Sequence, residues 1–68
     1  MNIEIEKCFQ DGNGNYFFPN SKINFISDGV VYFGKITNIL SNGFTFIPNN
    51  REVIVYMPFM LISEIIVH

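Results

Sequence analysis

Residues that turn or break the backbone recur along this chain too often for any helix of ordinary length. They are Asp11-Gly12-Asn13-Gly14-Asn15, Pro19-Asn20, Asp28-Gly29, Ser41-Asn42-Gly43, Pro48-Asn49-Asn50 and Pro58. Between them lie runs of four to eleven residues rich in Ile, Val, Phe, Tyr and Thr. β-Branched and aromatic side chains suit a pleated, half-buried surface, and Asp-Gly or Asn-Gly pairs supply the positive φ of tight hairpins. The spacing therefore predicts an all-β chain built as an antiparallel meander.

The runs carry their own phase. Ile3 and Ile5 alternate with Asn2, Glu4 and Glu6, which predicts a first strand over residues 2 to 9. The Asp-Gly-Asn-Gly-Asn loop returns the chain into Tyr16-Phe17-Phe18, which Pro19 ends. The run Lys22 to Ser27 places Ile23 and Phe25 on one face, and Asp28-Gly29 makes a two-residue hairpin into Val30 to Leu40. That run is long, and Gly34 in its middle predicts a bend or bulge. Further strands are expected over residues 44 to 47 and 53 to 57. The tail reads as a helical turn at Phe59 to Ile62 followed by a strand from Glu64 to Val67.

A chain of 68 residues makes one domain. With 49% hydrophobic and 15% charged residues it has enough apolar surface to fold and little charge to oppose collapse. Its apolar stretches are a few residues long, far short of the roughly 18 that a membrane helix needs. So many short strands in so short a chain favour a strongly bent sheet that curls on itself, a small barrel, over a two-layer sandwich. Residues 1–21 are expected to form an N-terminal β-hairpin extension and residues 22–68 the barrel core.

From Lys22 onward the pattern resembles the SH3-like and Sm-like small barrels. The resemblance is carried by Lys22-Ile23-Asn24-Phe25, Asp28-Gly29, Tyr32-Phe33-Gly34-Lys35-Ile36, Asn42-Gly43-Phe44-Thr45-Phe46, Val53-Ile54-Val55-Tyr56 and the turn before Ile65-Ile66-Val67. It implies a glycine-bent strand that changes sheet and a one-turn helix before the closing strand. It implies neither family's ligand. The Sm-type Asp, aromatic and Asn signature is missing, with Asn38 and Asn42 the nearest residues, and the chain has no Trp to line a proline-peptide groove.

Catalytic chemistry finds little to work with. Asp11, Asn13 and Asn15 alternate as oxygen ligands do in a calcium loop, but Tyr16 and Lys22 stand where that loop needs Gly and Glu. A hairpin loop whose side chains cap their own backbone is the expectation, with no metal and no cofactor. Cys8 is the one cysteine and lacks a base placed beside it, so it reads as a buried or half-buried structural thiol, and His68 as a frayed end. No acid, base and nucleophile set is present, so the chain reads as a non-enzyme. A single cysteine and no secretory signal agree with a cytoplasmic, reducing compartment. Eleven Ile and nine Asn against no Ala suggest a low-GC bacterium or a mobile element living in one.

The feature that bears on function is two-sided hydrophobicity. In Val30-Val31-Tyr32-Phe33, in Val53-Ile54-Val55-Tyr56-Met57 and in Ile65-Ile66-Val67 neither face of the strand is polar. A barrel has one interior, so these strands also turn apolar groups outward, and a contiguous outward patch marks an interface. The expectation is a non-enzymatic module that binds a protein partner or itself as a homo-oligomer. Its candidate residues are Tyr32, Tyr56, Val31, Phe33, Ile54, Lys35 and Arg51, with the tyrosines as anchors. The alternatives are a small nucleic-acid-binding barrel and a phage or mobile-element accessory or inhibitor protein. Tyr16, Tyr32 and Tyr56 would stack bases in the first of these, but a net charge of −2 with four basic residues disfavours nucleic acid.

Overall fold

The computed structural model describes residues 7–66. The expected strand positions from Asn2 to Glu6, together with Val67 and His68, lie outside the described residues. The described residues are all-β, with two antiparallel sheets and one 3₁₀ turn among them. A two-stranded hairpin comes first, β1 (Phe9–Gln10) and β2 (Tyr16–Phe17). Then follow β3 (Lys22–Ser27), β4 (Val30–Ile39), β5 (Gly43–Pro48), β6 (Val55–Pro58), the 3₁₀ turn Phe59–Leu61 and β7 (Ile62–Ile66). The second sheet is a meander from β3 to β6, and β7 returns to the outer side of β3, giving the order β6-β5-β4-β3-β7. Among the described residues β6 and β7 are its two edges.

Local chemistry sets the turns. Asp28 and Gly29 both adopt positive φ, 51° and 75°, and close the β3–β4 hairpin with Ser27 opposite Val30. Primed turns of this kind match the twist of the flanking strands. Ahead of β3, Pro19 and Asn20 occupy the centre of a turn in which Asn20 has φ 73° and the Ser21 N–H donates to the Phe18 carbonyl. In the first hairpin the Asp11 carboxylate is used by its own loop. Its Oδ1 accepts from the backbone N–H groups of Asn13 and Asn15, and its Oδ2 accepts from the Asn15 side-chain amide.

The Asn15 side-chain bond is the main cause that holds the Asp11 carboxyl below the ordinary aspartate range; partial desolvation opposes it, and the backbone N–H groups of Asn13 and Asn15 add to the lowering. A carboxylate depressed in the folded state stabilises the fold fully above its unfolded value of about 3.9, and the benefit is lost as pH falls through the folded value. Acidification below that range should therefore loosen this hairpin first. Amide hydrogen exchange at Asn13 and Asn15 should rise on acidification relative to amides of β3, once corrected for intrinsic rates. An Asp11→Asn variant should show no such pH dependence.

The core is aromatic. Ile23, Phe25, Ile36, Phe44 and Phe46 are the most deeply buried side chains, joined by Phe17, Ile39 and Met57. The Phe25 ring meets Phe44 and Phe46 edge-on, with centroids 5.6 and 5.2 Å apart. The small hairpin reaches this core through Phe9, which stacks on Phe17 and Phe44 and leans on Phe59.

Two irregularities set which side chains face inward. In β4, Thr37 and Asn38 together oppose Thr45, so Ile36 and Ile39 both point to the core although they are three residues apart. The Thr45 hydroxyl closes this bulge, accepting from the Asn38 N–H and lying 2.6 Å from the Thr37 hydroxyl. In β7, Ser63 is the extra residue, and its hydroxyl donates to the Ile26 carbonyl. Ile62 and Ile65 consequently both pack on the core.

Several expectations need correction. The bulge of β4 is at Thr37, not at Gly34. Gly34 pairs regularly with Ile23 and Pro48, and its missing side chain is explained by the approach of the Ile47 carbonyl and the Phe46 ring to where a Cβ would stand. The strand expected from residue 53 begins at Val55. Residues 51–54 form an irregular segment after the left-handed Asn50. The 3₁₀ turn ends one residue earlier than expected, at Leu61, and the last strand already starts at Ile62. Cys8 is exposed rather than buried, because it precedes β1 in a segment without regular structure.

Candidate interaction surface

The pairing register lays out the outer face of the large sheet as a grid. Lys22 of β3 stands opposite Lys35 of β4, and Lys35 stands opposite Ile47 of β5. One step along, Ile66 of β7 is opposite Asn24, and Asn24 is opposite Phe33. The next step pairs Glu64 with Ile26 and Ile26 with Val31. Alternation keeps all of these on the face away from the core. Phe33 is 47% exposed and Val31 44%, while Ile26, Ile47 and Ile66 are half-buried. Directly opposed side chains lie about 5 Å apart and diagonal ones about 7–8 Å, so these apolar groups form one patch across β7, β3, β4 and β5.

A shallow groove of about 590 Å³ runs along one margin of this patch. Val31, Phe33, Asn49, Arg51 and Val55 contribute to its walls, and Tyr32 and Phe46 to its floor. The groove forms because β4 continues past the point where β5 ends. There the Asn49 N–H donates to the Phe33 carbonyl, and the chain turns away through Asn50.

Of the candidate residues, the structure brings Val31, Phe33, Tyr32 and Arg51 to this groove and places Lys35 two residues beyond Phe33 on the same face. Tyr32 differs from the expectation of an outward anchor. Its ring stacks on Phe25 at 5.3 Å and meets Phe46 edge-on, so it belongs to the inner face and reaches the groove as floor. Tyr56 lies apart, exposed in edge strand β6 opposite Thr45. Ile54 is 66% exposed in the irregular segment that precedes β6.

Sequence reasoning missed Ile26, Ile47 and the Lys22–Lys35 juxtaposition, and it singled out the strand of Ile66 without naming that residue as a candidate. Each depends on which residues stand opposite, and register is decided by the two bulges and the return of β7. It also missed the exposure of Met60 and Leu61 on the 3₁₀ turn, at 88% and 55%. Alternation that runs unbroken from Lys22 to Ser27 was the available signal for Ile26.

Among the described residues no group of three His, Cys, Asp or Glu side chains is arranged to hold a metal ion, and no helix is long and apolar enough to cross a membrane. In comparison with known proteins, no family model, no curated protein and no solved structure matches this chain.

Proposed function

We propose that this chain is a small barrel of SH3-like or Sm-like type that acts as a non-enzymatic protein-interaction module through the outer face of β3, β4 and β5. A four-stranded meander, a 3₁₀ turn and a last strand returning to the first one support the barrel reading. The observation that carries the functional reading is the outward pair Val31 and Phe33, nearly half exposed where β4 runs on past the end of β5, and continuous with Ile26, Ile47 and Ile66. Leaving such a patch in water costs about 25 cal/mol per Å² of apolar area relative to burial. A partner, whether another protein or a second copy, recovers part of that free energy after the costs of association. A cytoplasmic setting in a low-GC bacterium or a mobile element accords with the composition, and an accessory or inhibitor protein of such an element is an alternative role.

The nucleic-acid alternative draws on Lys22, Lys35 and Arg51 around Phe33. Three neutralised phosphates imply a log–log salt slope of about −2 on a single strand, too shallow a dependence for a binder driven by phosphate contacts.

The test is selection of displayed random peptides on the immobilised protein, beside a single-stranded oligonucleotide at physiological salt. Enriched peptides should be retained by the parent and lost on a Val31→Ser, Phe33→Ser double variant. That variant should unfold within about 1 kcal/mol of the parent, since both side chains sit at the surface. Retention by the double variant, or binding of the oligonucleotide alone, would overturn the reading.

A further inference from the structure

Resting on the reading of the outer face as a protein-binding surface, we infer that its partner is a second copy of this chain. The two copies lie face to face about a twofold axis that runs across the strands, along the row Ile66, Asn24 and Phe33.

The outer face has a direction. Its first row carries Lys22 and Lys35 beside Ile47, its middle row Ile66, Asn24 and Phe33, and its third row Glu64, Ile26 and Val31. Cations therefore stand at one end of the apolar patch and a carboxylate at the other, and all three charged residues are exposed. Within one chain the two ends are remote. Four residues of strand separate Lys22 from Ile26, about 14 Å. Exposed charges that far apart are largely screened at physiological salt. Between two chains they come together.

An isologous contact uses the same patch twice, so the patch must complement itself. About a twofold parallel to the strands each row meets its own copy, and lysines then face lysines, which is costly. About a twofold across the strands, through the middle row, the first row of each copy meets the third row of the other. Lys22 then stands over Ile26 of the other copy. Its alkyl stem covers that side chain, and its ammonium reaches Glu64, one strand or about 5 Å further on. Symmetry makes this contact twice. Lys35 lays its stem on Val31 of the other copy and keeps its ammonium at the margin.

The middle row meets itself, and each of its members suits that. Ile66 and Phe33 are apolar, and Phe33, nearly half exposed, comes to the axis. The Asn24 side-chain amide is both donor and acceptor, so it pairs with its own copy. Twisted sheets pack with their strands about 30° out of alignment, which moves the outer rows by about 4 Å, within the reach of a lysine side chain. One group opposes the arrangement. Arg51, beside Val31 in the groove, comes near Lys35 of the other copy.

Sedimentation velocity of the whole chain, from micromolar to millimolar concentration, tests the pairing by charge reversal. The parent should form dimers and nothing larger. Lys22→Glu alone, or Glu64→Lys alone, sets like charges against each other at both contacts and should weaken the dimer at least tenfold. An equimolar mixture of these two variants makes both contacts opposite again and should dimerise. The double variant Lys22→Glu, Glu64→Lys should dimerise by itself. Circular dichroism should show every variant folded, since the two positions are remote within one chain. Phe33→Ser should weaken every pairing, and Arg51→Ser should tighten the parent's. Assemblies larger than two, dimers indifferent to the single reversals, or a mixture that fails to restore pairing overturn the inference. A monomer that retains selected peptides through Val31 and Phe33 overturns it and leaves the protein-binding reading standing. A monomer that retains no peptide overturns both.

Discussion

Phe44→Ala is expected to cost about 3–5 kcal/mol and to leave much of the protein unfolded at room temperature. The ring is wholly buried and joins aromatic rings of β1, β3, its own strand and the 3₁₀ turn. It meets Phe25 of β3 edge-on, lies 5.8 Å from Phe46 of its own strand and 6.1 Å from Phe59 of the 3₁₀ turn, and stacks on Phe9 of the small hairpin. Removing it opens a cavity that stiff neighbouring rings cannot fill, so little of the loss is recovered by relaxation. Domains have roughly 0.05–0.15 kcal/mol of stability per residue, about 3–10 kcal/mol for a chain of this size, so the predicted loss is a large share of the whole. Urea unfolding followed by circular dichroism measures it. Phe33→Ala, on the outer face, should shift the midpoint far less. Equal losses at the two positions would mean that the core is not organised around Phe44.

Much of this arrangement is legible in the sequence, and what is not has an identifiable cause. Lys22 to Ser27 alternates without interruption, so its bounds, its inward residues and the Asp28-Gly29 hairpin all follow from period two. Ile36 and Ile39, and again Ile62 and Ile65, are three apart. That spacing imitates a turn of helix, yet a bulge in each strand brings both members of each pair to the core. A bulge leaves no mark in composition. Its evidence is a partner on another strand, here the Thr45 hydroxyl for one and the Ile26 carbonyl for the other. The same limit applies to the interaction surface. Val31, Phe33 and Lys35 can be seen as outward from their own strand, but Lys22 facing Lys35 is a property of pairing. Gly34 illustrates the reverse error: the sequence marks the position as special, and the reason is a neighbouring strand rather than its own backbone.

The second large effect is predicted at Gly43, a residue that the turn Ser41-Asn42-Gly43 does not by itself explain. Its φ is not positive, so the turn alone does not require glycine there. A Cβ at Gly43 would lie 2.3 Å from the Met57 carbonyl oxygen and 2.9 Å from Pro58 Cα. Both obstacles are backbone of β6, and Gly43 is paired with Pro58 in the β5–β6 ladder, so the clash is relieved only by pushing the edge strand away. Gly34 is crowded by the Ile47 carbonyl oxygen and by the Phe46 ring edge, each 2.6 Å from the Cβ position, so only one of its two nearest obstacles is backbone. Gly29 faces open space, and its substitution meets only the strain of φ 75°. Alanine at these positions should therefore cost about 3, 2 and 1 kcal/mol in the order Gly43, Gly34, Gly29. Urea midpoints of the three variants test the order. A Gly43→Ala protein as stable as the parent would show that β6 does not approach β5 this closely. Hydrogen exchange adds a local reading, because the Phe59 N–H donates to the Asn42 carbonyl and so ties the start of the 3₁₀ turn to the same corner. Displacing β6 at Gly43 should release the Phe59 amide, and with it the Phe59 ring on which Phe9 leans, before the β3–β4 amides are affected.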